Sequence, residues 1–172
     1  MKVEQLMTRK VKTCTTADNL NRAAQMMWEG DCGCVPVMST DGDGAVVGMV
    51  TDRDVAMAAY TQGKALWAIP VSEAMARKVI ACHEGDGIDH ADALMRDNRI
   101  RRRPVLDRSG RLIGLLSLND VAREAHREKM SGTRAEVTAE DVAETLASVC
   151  EPRTGHQTPG PAGPHRARLR RI

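Results

Sequence analysis

The chain has 172 residues, 42% of them hydrophobic but only 2% aromatic, with no Phe. That suits one compact domain or two small halves sharing a core of Val, Ala, Leu, Ile and Met, and it leaves few rings on which a flat ligand could stack. Residues 151–172 carry five Arg against one Glu, a net +4 in a chain of net +2, so the remaining 150 residues sum to −2 and offer no basic nucleic-acid footprint.

The opening "MKVEQLMTRK" lacks the apolar stretch of a secretory leader, and no apolar run approaches the ~20 residues of a membrane span. Five cysteines, an odd number, then point to reduced thiols and a cytoplasmic location. The first expected element is a short strand, Val11–Cys14. An acidic start at Asp18 opens a helix whose Leu20, Ala23, Ala24, Met27 and Trp28 repeat on one face. Two strands follow, "CVPVM" and "AVVGMV", joined by a Gly/Asp hairpin turn. A second helix starts at Thr51 and is expected to stop at Gly63.

The same elements then recur. Leu6–Met27 aligns with Ala74–Met95 at an offset of 68, and Val35-Pro36-Val37 falls on Arg103-Pro104-Val105. Past the turn, which is two residues longer in the first copy, the offset is 66, with Gly48 on Gly114, Thr51 on Ser117 and Asp54 on Asp120. Each unit of about 60 residues is too small to bury much alone. The expected division is residues 1–66 and 67–129 for the two copies and 130–150 for a linker and C-terminal helix. The Pro-, Gly- and Arg-rich residues 151–172 read as a disordered basic tail. The C-terminal helix is capped by Thr138, with Asp141 in its first turn and Val142, Leu146 and Val149 on one face.

Thr51-x-x-Asp54 and Ser117-x-x-Asp120 can be helix caps and nothing more. Each, however, follows a Gly-containing strand end, where free amides and a helix N-terminus favour an anion such as phosphate. An Asp there can accept hydrogen bonds from a cis-diol. Gly48 and Gly114 would let a ligand approach the backbone. Repetition in register suggests two nucleoside-phosphate sites.

With "MT" and "AM" before the first strand, "VPV" and "RPV" in the second, and "GMVTDRD" and "GLLSLND" after it, residues 1–128 resemble a tandem pair of cystathionine-β-synthase (CBS) domains, a Bateman module. The resemblance implies an α/β fold of two pseudo-symmetric β-α-β-β-α motifs packed into one module, usually pairing into flat homodimers. It implies a non-catalytic regulatory sensor of AMP, ADP or ATP, with S-adenosylmethionine and NAD as further members of the ligand class. Asp54 and Asp120 would hold ribose, and Thr51 and Ser117 would meet phosphate. The backbone at Thr13-Cys14, Ala81-Cys82, Val35 and Arg103 would read the adenine edge. Arg53, Arg101 and Arg102 are the phosphate candidates. In a strand, Arg101 and Arg103 share one face and Arg102 takes the other, so the three cannot share one role.

Cys32-Gly-Cys34 would aim two thiols the same way if extended, but C-x-C without a second pair is a weak metal or redox signal. Cys14 and Cys82 read as small hydrophobes. The alternatives to nucleotide sensing are a protein-interaction scaffold without a ligand and a thiol redox module. An unidentified protein partner and the C-terminal helix are the expected readers of any signal.

Overall fold

The computed structural model describes residues 1–132 and 135–152; all but the first two residues of the expected basic tail lie outside them. Each half supplies a three-stranded sheet with two helices. In the first half these are β1 (Cys14–Thr15), α2 (Leu20–Glu29), β2 (Cys34–Met38), β3 (Val46–Thr51) and α3 (Asp52–Gln62), preceded by a short helix α1 (Val3–Leu6). The second half repeats the series as α4 (Val71–Ala74), β4 (Cys82–His83), α5 (Ile88–Asn98), β5 (Arg102–Leu106), β6 (Leu112–Ser117) and α6 (Leu118–Ser131). A single turn of 3-10 helix, Leu66–Ala68, joins the halves, and α7 (Ala139–Cys150) follows them.

The registers match as the repeat requires. Parallel Cys14↔Val37 corresponds to Cys82↔Val105, and antiparallel Cys34↔Thr51 corresponds to Arg102↔Ser117. The first strands are shorter than expected, two residues in place of four. The acids expected to open α2 and α5 serve the preceding turns instead. Asp18 accepts from Thr15 N (2.7 Å) and Asp86 from His83 N (2.7 Å), while Asn19 caps α2. Leu20, Ala23 and Met27 are buried as expected, but Trp28, at 88% exposure, is not part of the core. Gly63 ends α3 in the left-handed region (φ 62°), as the sequence indicates.

The two cores do not follow chain order. Ile69, Val71 and Met75, which precede the second repeat, complete the core of the first half. Val3 and Met7, at the N-terminus, complete the core of the second. Backbone pairs fix this exchange: Thr8 with Leu115 (2.9 Å both ways) and Ala76 with Met49 (2.8 and 3.0 Å). Each arm thus adds to the sheet of the other half. Each buried aliphatic side chain in an arm contributes about 1.5–3 kcal/mol.

Candidate functional site

At each β-to-α corner the hydroxyl and the acid close on each other. Asp54 Oδ2 accepts from Thr51 N (2.9 Å) and Oγ1 (2.7 Å), and Thr51 Oγ1 accepts from Asp54 N (3.2 Å). Ser117 and Asp120 repeat this at 2.9, 2.6 and 3.3 Å. The same box also forms between Thr138 and Asp141 at the start of α7, where no strand precedes it. Capping therefore uses one carboxylate oxygen and explains the spacing, and the remaining oxygen is where the corners differ. Asp54 Oδ1 has no partner among the described residues. Asp120 Oδ1 accepts from Arg123 Nη2, and Asp120 is 8% exposed.

The remaining sequence candidates are spread over distinct environments. Thr13 is half-buried, while Cys14 and Val35 are buried; Arg53 is exposed beside its corner. Cys14 Sγ reaches Pro36 O and Cys82 Sγ reaches Pro104 O, both at 3.8 Å. Burial pushes both thiols up to about 11, as expected of small packed groups in place of nucleophiles. Cys34 is pushed to about 11 for the same reason. Cys32 lies before the strand begins, so the two thiols of Cys32-Gly33-Cys34 do not share an extended segment.

The three consecutive arginines go three ways. Arg101 is exposed and its Nη2 lies 3.3 Å from Cys150 Sγ at the end of α7. Arg102 leans over Gly33 towards Asp52 of the first half. Arg103 is 1% exposed, and its guanidinium donates to the carbonyls of Ile80 (3.1 Å), Ala91 (3.1 Å) and Ala81. Burial lowers its pKa without neutralising a group that stays charged in proteins. Its side chain turns inward onto these carbonyls.

The glycines matched between the two copies also acquire a different reason. A Cβ on Gly48 would stand 2.6 Å from Met75 Sδ, and one on Gly114 would stand 2.6 Å from Met7 Sδ. The exchanged arms, not a ligand, occupy the space these glycines leave.

A feature the sequence reading missed is a groove of about 480 Å³ at the ends of α2 and α3. Ala24, Met27, Trp28 and Val55 line it, with Asp31, Asp52 and Arg102 at its rim. Its positions 24, 28, 31 and 33 correspond to 92, 96, 99 and 101, all of which α7 or its C-cap Glu151 grips in the second half. Thr145 Oγ1 donates to Asp92 (2.6 Å), Glu144 pairs with Arg96 (3.1 Å) and Glu151 pairs with Arg99.

A family model described as CBS domain matches residues 3–60 and again 71–127. The chain belongs to the CBS domain family. The CBS domain-containing protein YhcV of Bacillus subtilis is 30% identical over 131 residues, 76% of this chain and 90% of that protein. The CBS domain pair of protein MJ0100, solved with 5′-methylthioadenosine and S-adenosyl-L-methionine, is 25% identical with a TM-score of 0.65, covering 78% of this chain and 98% of that one. CBSX2 in complex with AMP has the same fold at 24% identity and a TM-score of 0.64, covering 74% and 98%. The α/β architecture of two CBS motifs is thus common to this chain and to CBS pairs that hold adenosine compounds. Among the described residues no helix is long and apolar enough to cross a membrane.

Proposed function

We propose that this protein is a non-catalytic, cytoplasmic regulatory sensor that binds an adenine nucleotide of the AMP, ADP or ATP class between its CBS motifs. The observation that carries the reading is the corner at Thr51 and Asp54. There a carboxylate with one uncommitted oxygen stands where a strand end meets a helix, as a ribose hydroxyl needs, and the exposed Arg53 beside it offers a phosphate its charge. The first amides of α3, expected to be free for an anion, already donate to Gly33 O, Asp52 Oδ1 and Thr51 Oγ1. The adenosine compounds bound by the CBS pair of MJ0100 support the ligand class. Signalling follows from a change in the angle between halves or between protomers. A ligand drives it only by its differential affinity for the two arrangements.

The protein acts as a homodimer in this reading, pairing through the outer face of α2 and α3. Trp28, Tyr60 and Trp67 are the only aromatic residues of the chain, and all are exposed, at 88%, 66% and 71%. The equivalent face of the second half is covered by α7, whereas this one is open. Its rim carries both signs, Asp31 and Asp52 beside Arg102, so a twofold copy can meet it with opposite charges.

A scaffold without a ligand is the second reading, and the Thr138–Asp141 box favours it by showing the same motif used for capping alone. Calorimetry with AMP, ATP, NAD and S-adenosylmethionine on nucleotide-stripped protein separates the two. Sensing predicts micromolar binding that an Asp54→Asn/Asp120→Asn variant loses while remaining folded. Silence across the four ligands in well-folded wild type sinks the sensor.

A further inference from the structure

We infer that the two clefts are not equivalent: the first takes the nucleotide, the second is closed by the protein's own arginines, and each chain binds one adenine nucleotide. This rests on the nucleotide reading above and fixes its stoichiometry.

Two substitutions between the repeats carry it. The first is Val35 against Arg103. Both are buried at the same position of their half's second strand, and the Arg103 guanidinium lies against the backbone that precedes β4. An adenine edge presents an exocyclic amine, a donor, so carbonyl oxygens are what such a backbone must offer it. In the second half the carbonyls of Ile80 and Ala81, together with Ala91, already receive the planar fork of Arg103. The guanidinium stands in for a donor edge. Displacing it would strand a buried cation, since no carboxylate pairs with Arg103 among the described residues. Val35 has no donor, and the equivalent carbonyls of Lys12 and Thr13 receive nothing from it.

The second substitution is Met57 against Arg123, at the same position three residues past the corner acid. Arg123 holds Asp120 Oδ1, so both oxygens of that carboxylate are committed. Met57 cannot bond Asp54, whose Oδ1 is left for a ribose hydroxyl. The base end of the second cleft is thus closed by Arg103, while at its sugar end the exposed Arg123 competes for Asp120, and neither contact exists in the first.

The test is equilibrium dialysis of the full chain against labelled AMP, counting nucleotide bound per chain at saturation. One equivalent is expected, falling to none in Asp54→Asn. In an Arg103→Val/Arg123→Ala variant a second equivalent appears. The Arg123→Ala single variant guards against misfolding, because Arg123 is exposed and leaves the core untouched. It is expected to retain one equivalent, since Arg103 still closes the base end. Two equivalents in wild type, or one remaining in Asp54→Asn, overturn the inference while leaving the sensor intact. No AMP bound by wild type, repeated with ATP and S-adenosylmethionine, overturns both.

Discussion

Cys14 and Cys82 make the same contact in the two halves, each thiol against the carbonyl of the strand proline beside it. With Cys34 they are held near 11 by burial, so at pH 8 about one thiol in a thousand is ionised. Cys150 is exposed and Cys32 half-buried. A colorimetric thiol titration of the native reduced protein should therefore count two fast groups, rising to five in denaturant. Fast labelling of Cys14 or Cys82 would contradict their packing role. At this scale the sequence was legible where the chemistry is local. Thr51 with Asp54, and Ser117 with Asp120, are set by a three-residue spacing that any helix start imposes. The strand alternation that was to put Arg101 and Arg103 on one face did not hold, because Arg101 precedes β5 and is exposed while Arg103 is buried. That Arg103 caps carbonyls from 12 to 23 residues away could not be read, because nothing near it in sequence marks those acceptors.

The C-terminal helix shows how one contact can rotate an element. Apolar spacing favoured Val142, Leu146 and Val149 as its inner face. In the structure Thr145 is fully buried and Leu146 is 46% exposed. The rotation brings Thr145 to Asp92, a buried acid on α5 that no apolar side chain could satisfy. Asp92 Oδ1 remains without a partner, and burial raises the pKa of its carboxyl despite Arg96 and the Thr145 hydroxyl, with Asp141 and Glu144 adding to the rise. Asp89 and Glu136 line the small cavity beside it. A raised acid favours the folded form while protonated. This contribution is full below the ordinary Asp value near 4 and is lost as pH rises through the raised one. At neutral pH α7 is therefore seated against a cost. Asp92→Asn keeps an acceptor for Thr145 and removes the charge. It should protect the amides of 139–150 by on the order of 1 kcal/mol more at pH 7, with the difference shrinking towards pH 4. Equal hydrogen exchange in the two proteins at pH 7 would show that the buried charge is harmless.

For the whole molecule, pairing through α2 and α3 predicts one size and no larger. The chain should sediment at twice its 18.7 kDa, and Trp28→Glu should return it to the monomer mass without loss of fold, because Trp28 packs little of the core. A wild type that stays monomeric at tens of micromolar would remove the interface. The repeat itself was plain in the sequence, down to the two-residue difference in turn length. The exchange of arms was not, because an arm carries the same apolar residues whichever sheet it joins, and only the three-dimensional path decides.

That exchange bears on how such a chain could arise. A single repeat has an arm with nowhere of its own to put Val3 and Met7 or their counterparts Val71 and Met75. Two separate copies could satisfy both by trading arms, at the mercy of their concentration. Fusing the copies end to end keeps every traded contact and replaces that concentration with the fixed proximity of one polypeptide. Within one polypeptide the swapped pair therefore holds at any dilution.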